Sequence, residues 1–541
     1  MVDTERQQAD ATISSSTPDV SGGDAHFARP ARTRRLVLLA VFVCAACGLV
    51  YELALITLGS YLTGSSIVQT SLVIGFVMAA MGLGALAAKP LLRWPVPAFA
   101  AVELSLGLVG ALSVPLLYAA FAWLNLYTPV MLVTAMLIGG LIGAEIPLLM
   151  ALVQTVRRQE PADAVADLSA ADYGGALVGG LAFPFVLLPV FGLLQGALVV
   201  GALNVAVAGM LAGWLFRRSL TPRARLTVTA GALGGLAVLG GAAAYAEPFE
   251  VTARQRLYRD PIVHAERSPY QEIVLTARPV DRWSARDVRL FLDGDLQFSS
   301  LDEHRYHESL VHPALAGGHR RVLVLGGGDG LALRELLHYP DVDEVVLVDL
   351  DPAVVDLART DDWLVQRNQA AFDDGRVETV AADAFGWVRD YRGAPFDVVL
   401  VDLPDPDSTD TAKLYSVEFY GLVGRLLVED GRMAVQAGSP FFAPSSYWSV
   451  VAAVEQAGLG ATPYHVDVPS FGDWGFVLAG QGPEPPKLHL DDRAAELRFL
   501  TPAVLDASQV FPPDRIPDDV RASTLLDPVI LDYQRKEWTG Y

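Results

Sequence analysis

The sequence predicts a multi-span α-helical membrane domain followed by a doubly wound α/β domain. Three observations carry that expectation. Hydrophobic residues make up 52% of the 541-residue chain and charged residues 19%, an apolar balance that calls for spans in lipid. Charge is unevenly placed: residues 1–250 hold 13 Lys+Arg against 14 Asp+Glu, whereas residues 251–541 hold 27 against 47. Past residue 250, short β-type runs alternate with helical patterns, the texture of a parallel sheet covered by helices.

Residues 1–33 are rich in Ser, Thr, Asp, Gln and Ala with no apolar period, and are expected to form a disordered tail. Arg29, Arg32, Arg34 and Arg35 then precede a long apolar run. A signal peptide would start nearer the first residue and have a shorter apolar core, so this run reads as a first transmembrane helix. The transmembrane domain is expected over 34–247, with about seven helices near 36–57, 67–88, 98–121, 129–153, 169–191, 194–216 and 226–246. Each is close to the ~20 residues that cross the hydrocarbon core. Gly82, Gly84, Gly139, Gly140, Gly143 and the stretch from Gly174 to Gly180 suit helices that approach closely in lipid.

Basic residues sit at Arg29–Arg35, Lys89/Arg93, Arg157/Arg158 and Arg217–Arg225, while the alternate loops carry none. That bias predicts a multi-pass cell-membrane protein with a cytoplasmic N-terminus. The lipid bilayer is therefore one expected partner. The last segment, Leu226–Ala246, is Gly/Ala-rich and would export everything after it if it crosses; a re-entrant or interfacial course would not. The catalytic half is expected in the cytoplasm, and its sidedness turns on that segment.

Four acids, Glu52, Glu103, Glu145 and Asp172, lie in or beside the spans. Charges at membrane depth cost at least ~2.5–3.5 kcal/mol each and usually face a bundle interior or a water cavity. Two readings stand for them: a cation path or polyamine cavity, and internal hydrogen bonding that fixes helix packing. The only cysteines, Cys44 and Cys47, fall in the first apolar run and are read as packing residues; a disulfide framework is excluded.

The second half, at a net −20 from 27 basic and 47 acidic residues, repels nucleic acid and suits a cationic ligand, or simply keeps the domain soluble. A β-rich lead-in is expected over 248–318, with Tyr270–Ala277 and Val288–Phe298 as a strand pair. The doubly wound domain follows over 319–480. Its strands are Val322–Leu325, Glu344–Asp349, Val377–Ala381, Phe396–Asp402 and Met433–Gln436, with helices at Leu331–His338, Ala353–Arg359 and Phe419–Val428. Residues 481–541 form a Pro- and Asp-rich C-terminal extension with one amphipathic stretch near Pro528–Trp538.

The passage from Arg321 to Gly330 runs a buried strand into Gly326-Gly327-Gly328-Asp329-Gly330. Glycines at that point let the chain turn sharply and bring backbone close to a ligand at the sheet's carboxyl edge. About twenty residues on, the second strand ends in Asp349, placed to accept hydrogen bonds from both ribose hydroxyls. Asp383 follows the third strand, suited to an adenine amino group. The glycine pattern differs from the dinucleotide fingerprint, so a nucleoside without phosphates, such as an S-adenosyl compound, fits better. The fourth strand ends Asp402-Leu403-Pro404-Asp405-Pro406. With Asp329 these carboxylates would make a pocket for a diamine, each ammonium meeting a carboxylate.

These residues resemble the polyamine aminopropyltransferases, the spermidine synthases foremost. The family carries a Gly-Gly-Gly-Asp-Gly loop, a β-rich lead-in and an Asp-x-x-Asp-Pro strand end. In order and at matching spacing, this chain has Ser268-Pro-Tyr270-Gln271, Leu290-Phe-Leu-Asp293-Gly294-Asp-Leu-Gln297 and Asp302-Glu303-His-Arg-Tyr306-His307-Glu308 before them. The match covers roughly 268–480, and the helical half is similar to the region fused to some bacterial members. The resemblance implies a Rossmann-like, S-adenosylmethionine methyltransferase-like sheet. It also implies an activity: aminopropyl transfer from decarboxylated S-adenosylmethionine, a co-substrate, to putrescine or a similar diamine.

By the same resemblance, Gln271, Gly326, Gly328, Asp349 and Asp383 would hold the donor, with His307 and Asp329 near its aminopropyl amine. Asp402 would be the catalytic carboxylate, helped by Tyr306. Asp405, Gln436 and Phe471 would line the acceptor side. No metal or other cofactor is implied, because the sulfonium is already a good leaving group, and a homodimer is. The sequence departs from the pattern on the acceptor side. Leu403-Pro404 replaces a small polar pair, the loop 407–413 is about a residue longer, and Phe471 stands where a Tyr is usual. Two other readings remain at this point: a membrane polyamine sensor or transporter, and a methyltransferase on the same fold.

Overall fold

A computed structural model describes residues 30–63, 67–156, 161–280, 286–491 and 497–538. The expectations for the tail before residue 30 and for Arg157/Arg158 lie outside them. The chain divides into two compact units. One holds the helices up to Glu247, apart from Gly59–Thr70 and Phe121–Asn125; the other holds the chain from Pro248.

The first unit contains α1 (Pro30–Thr63), α2 (Ile67–Ala87), α3 (Pro95–Ala119), α4 (Tyr127–Val156), α5 (Pro161–Ala182), α6 (Leu188–Met210) and α7 (Pro222–Ala244). Among the described residues, six helices are long and apolar enough to cross a membrane, counting Val165–Leu215 as one of 51 residues. That long helix is broken at Gly192, whose φ of 68° and ψ of −179° leave the helical region. The expected segments 169–191 and 194–216 are thus its two arms. Segment 226–246 falls on α7, which also meets the length and composition of a span. A Cβ on Gly84 would collide with the carbonyl oxygen of Gly140, and one on Gly143 with that of Met81, so α2 and α4 touch backbone to backbone. Only small residues permit that approach.

The second unit begins, after α8 (Ala246–Leu257), with an antiparallel sheet of β1 (Ile262–Arg267), β2 (Glu272–Pro279), β3 (Arg286–Leu292) and β4 (Asp295–Ser299). Here the expected strand Val288–Phe298 is corrected to two strands. Asp293 (φ 51°) and Gly294 (φ 96°) form a tight turn in its middle. Asp-Gly with both residues at positive φ is a hairpin turn whose twist matches its strands. After α9 (Glu303–Val311) comes the main sheet: β5 (Arg321–Gly326), α10 (Leu331–Leu337), β6 (Glu344–Asp349), α11 (Pro352–Thr360), α12 (Asp362–Asn368), β7 (Val377–Ala381), α13 (Ala384–Asp390) and β8 (Phe396–Asp402). It closes with β9 (Leu427–Gln436) and the hairpin β10 (Leu459–Val468) and β11 (Gly472–Gln481). The helix expected to reach Val428 stops at Gly424, and Leu427 and Val428 join β9 instead.

Strand order is β10-β11-β9-β8-β5-β6-β7, parallel from β9 to β7 and antiparallel at the β10–β11 edge. Val322, Val324, Val345, Leu347, Val398 and Leu400 pack into one apolar layer, and Leu323, Leu325, Val346, Val348, Val399 and Val401 into the other. Helices cover both faces of such a sheet, so its strands read as continuous apolar runs. The order reverses between β5 and β8, where Gly326 pairs with Asp402. A crevice at the carboxyl ends of strands that diverge in this way is where open α/β sheets bind ligands.

Candidate active site

Backbone geometry at the switch point places the first functional groups. Gly326 has φ 81°, and a Cβ there would run into the carbonyl oxygen of Asp402. At Gly328 a Cβ would meet the Asp349 carboxylate at 2.6 Å, and the Gly328 N–H instead donates to Asp349 Oδ2 at 3.1 Å. The second oxygen of Asp349 accepts from the Asp351 N–H at 2.9 Å. Burial, with the neighbouring Asp351 and Asp329 adding to it, pushes Asp349 up to about 6.

Gln271 reaches this corner from the lead-in sheet. Its Nε2 donates to Asp351 Oδ2 at 2.9 Å, beside the Ser268 hydroxyl at 2.6 Å. Asp351 also caps α11 through the Ala353 N–H. The sequence reading gave Asp351 no role, although its place two residues after the strand-ending acid was a visible signal. Asp383 ends up elsewhere in its bonding: it caps α13 through the Gly386 N–H and pairs with Lys413 Nζ at 2.8 Å. Its carboxylate is thereby held below the usual range: burial opposes the shift, and the Lys413 hydrogen bond outweighs it.

The centre of the site is a pair. Tyr306, on α9, donates its hydroxyl to Asp402 Oδ1 at 2.5 Å. Burial raises the Asp402 carboxyl, while nearby His307 and the Tyr306 hydrogen bond work the other way. Asp329, half-buried and accepting from the Leu331 N–H at 2.8 Å, is raised by desolvation as well and lies in the fields of His307 and Asp402. His307 Nδ1 sits 2.7 Å from the Glu303 carbonyl oxygen. Burial disfavours its charge, but the Glu303 hydrogen bond and the fields of Asp329, Glu303 and Asp402 prevail and push it up to about 9.

Under these residues lies a buried ion network that sequence reasoning missed. Arg334 donates to both oxygens of Glu303, at 3.0 and 2.8 Å, and its Nε to Glu335 at 2.9 Å. Glu335 also meets His312 Nε2 at 3.0 Å. Glu303 and His307 are four apart on one helical face, a spacing that foreshadows the contact. Two further contacts fix α9 in place: Asp302 accepts from the Ser470 N–H and hydroxyl, and Glu308 from the backbone N–H groups of Arg498, Phe499 and Leu500.

On the other side of Asp402, Gln436 Nε2 donates to the Leu403 carbonyl and to Tyr415 Oη, each at 2.5 Å, and lies 3.3 Å from Asp405 Oδ1. Burial, reinforced by Asp407 and Asp295, pushes Asp405 up to about 7. Asp295 is pushed up to about 6 by burial, Asp407 and Asp293. Asp295 on the hairpin and Asp407 after the strand end, which join Asp405 here, were not assigned from sequence. Phe471 packs its ring 6.0 Å from that of Tyr306 and 4.9 Å from that of Trp474. A recess lined by Arg389, Tyr391, Arg392 and Arg425 lies at the opposite ends of β8 and β9, away from all these groups.

The carboxyl ends of β5, β6 and β8 therefore carry Asp349, Asp402 and Asp405 together with Tyr306 of α9. A family model described as the spermine/spermidine synthase domain matches residues 303–490. "Polyamine aminopropyltransferase 1" of Streptomyces coelicolor is 56% identical over 516 residues, 95% of this chain and 96% of that protein. The chain belongs to the polyamine aminopropyltransferase family. "Polyamine aminopropyltransferase" of Mycobacterium tuberculosis strain H37Rv is 48% identical, covering 94% of this chain and 97% of its own. Coverage that wide takes in the helical half, which is thus common to these family members. A crystal structure of spermidine synthase with the transition-state analogue AdoDATO aligns at 26% identity with a TM-score of 0.42, over 52% of this chain and 89% of that one. Family membership favours aminopropyl transfer over the transporter and methyltransferase readings.

Proposed function

We propose that this protein moves the aminopropyl group of decarboxylated S-adenosylmethionine onto a diamine of the putrescine class, releasing methylthioadenosine. The observation that carries this reading is the hydrogen-bonded Tyr306–Asp402 pair at the switch point of the sheet. Asp349 would take the ribose hydroxyls, and Gln271 would close that corner through Asp351. Asp383 would face the adenine, using lone pairs left by its cap and its lysine. Asp329 would receive the ammonium of the aminopropyl arm, with His307 balancing the charge of Asp329 and Asp402.

On the acceptor side, Asp405 and Gln436 would hold the distal ammonium and Phe471 would form an apolar wall along the methylene chain. An amine with an ordinary pKa near ~10.4 is almost wholly protonated at neutral pH, so it cannot attack until a base removes a proton. Asp402, raised by burial, is suited to that task, and Tyr306 orients it. The freed lone pair attacks the methylene carbon beside the sulfonium, the carbon–sulfur bond breaks, and its electron pair neutralises the sulfur. Orientation of the two reactants supplies much of the remaining acceleration.

The helical half would anchor the enzyme in the bilayer. Support comes from apolar side chains left facing outward, among them Leu177, Phe185, Val190 and Leu233. A catalytic domain in the cytoplasm, where the donor is made, requires that one helical arm not cross. The kink at Gly192, flanked by Pro184 and Pro189, is where that would be decided. A C-terminal reporter fusion tests it, since a fluorescent protein reports the inside and alkaline phosphatase the outside. The family resemblance also supports a homodimer, which sedimentation of the detergent-solubilised protein would measure.

The decisive experiment incubates purified protein with donor and putrescine, cadaverine or spermidine. Methylthioadenosine should appear in step with one aminopropylated product. Donor binding without methylthioadenosine release for any amine would overturn the proposal.

A further inference from the structure

We propose that the helical unit holds a divalent metal ion of the zinc class, bound by Cys44, Glu103 and Glu145 and completed by Asn204. Cys44 lies on α1, Glu103 on α3, Glu145 on α4 and Asn204 on α6. Cys44 Sγ and one carboxylate oxygen from each glutamate lie within 4.8 Å of one another. Their fractional exposures are 0% for Cys44, Glu103 and Asn204 and 5% for Glu145. Zinc with one sulfur and several oxygens holds its ligand atoms about 3.4–3.6 Å apart, from bond lengths of about 2.3 and 2.1 Å in a tetrahedron.

A second observation points to a cation independently of the cluster. Both carboxylate oxygens of Glu103 and the Oδ1 of Asn204 have no hydrogen-bond partner, nor does the hydroxyl of Tyr51 on α1. The Asn204 side chain is tied to α3, its Nδ2 donating to the Glu103 backbone carbonyl at 3.2 Å. Tyr51 is locked by packing, its ring filling the space beside Gly110. Buried acceptors without donors are strongly unfavourable unless something positive meets them. Between 36 and 88, 94 and 156, and 168 and 216 the sequence has no Lys, Arg or His.

The choice of ion follows from the donor set. A pair of carboxyls sharing a proton would explain two acids, but it leaves the Asn204 oxygen unmet. A thiolate with carboxylates and an amide oxygen suits a borderline-soft dication, not sodium or magnesium. The Glu103 carboxylate and the Cys44 thiolate balance the dication's charge, their protons passing to solvent on binding, and Glu145 binds through its carbonyl oxygen as the neutral acid. Cys47 is otherwise engaged, with Sγ 3.8 Å from the Val200 carbonyl oxygen, and provides the control. This site is separate from the transferase residues and does not depend on their assignment.

The test uses the full-length protein in detergent or nanodiscs, stripped with chelator and then offered zinc or cobalt chloride. One equivalent of metal per chain should be retained, and the cobalt form should show thiolate-to-metal charge-transfer absorption. Cys44→Ser should abolish that absorption. Glu103→Gln should weaken metal affinity by at least the roughly 10–100-fold that even an outer-shell contact is worth. Cys47→Ser should change neither. Retention below a tenth of an equivalent, or equal retention by Cys44→Ser and Glu103→Gln, would overturn the site. X-ray absorption at the zinc edge of the unsubstituted protein covers the case where variants fail to fold: one sulfur among oxygen ligands supports the proposal, and a shell without sulfur defeats it.

Discussion

Asp405 offers the sharpest test of the acceptor channel, because its burial beside Asp407 and Asp295 puts its titration near neutrality. With a value of about 7, the carboxyl is roughly a tenth ionised at pH 6 and roughly nine-tenths at pH 8. A diamine is a dication throughout that range, so its own charge does not change. If the ionised carboxylate holds the distal ammonium, the KM for diamine should fall by about tenfold between pH 6 and pH 8. Steady-state methylthioadenosine release, at saturating donor to hide the titration of Asp349, measures this directly. In Asp405→Asn the slope should flatten. The KM at pH 8 should also rise by about 10–150-fold, the equivalent of the ~1.5–3 kcal/mol of a hydrogen bond to a charged group. A wild-type KM that is flat across pH 6–8, or an unchanged slope in Asp405→Asn, would refute the assignment of Asp405 to the ammonium.

Three further outcomes are expected. Asp402→Asn keeps the shape and the contact with Tyr306 but removes the base, so kcat should drop about 10²–10⁴-fold while the donor dissociation constant, read by calorimetry, stays unchanged; turnover within threefold of wild type would rule the base out. Gly326→Ala forces a side chain against the Asp402 carbonyl at a φ of 81°, and should destabilise the second unit by about 2–5 kcal/mol in denaturant unfolding, from αL strain plus overpacking. A loss under about 1 kcal/mol would mean the turn is looser than described. His307, raised to about 9 in the fold from an ordinary value of 6.5, contributes stability that is whole below pH 6.5 and lost as pH rises through about 9. Unfolding midpoints of wild type should decline between pH 7 and pH 9.5 more than those of His307→Gln, and parallel curves would contradict the charged imidazole.

The sequence by itself determined the layout. Seven apolar runs, the unbroken hydrophobic strands and the spacing from Gly326 to Asp349 to Asp402 were all legible, because burial on one or two faces leaves a periodic trace in composition. It also marked Asp329, Asp402 and Asp405 for one edge of the sheet, since acids at the carboxyl ends of parallel strands must converge at a switch point, while Tyr306 was named by the family resemblance. The turn at Asp293-Gly294 was readable too, yet the apolar residues on both sides blurred two strands into one.

Other features were decided only by the tertiary structure. The Glu303–Arg334–Glu335–His312 network joins residues from α9, α10 and the turn after α9, and no local pattern records such a contact. Asp383 takes its charge balance from Lys413, thirty residues away. Cys44 is buried in the apolar core as expected of a packing residue, and only the packing of α3 and α4 brings Glu103 and Glu145 near it. Periodicity in a sequence encodes which face of an element is buried. Which polar groups meet inside is set by how elements pack against one another, and that information is spread over residues far apart in the chain.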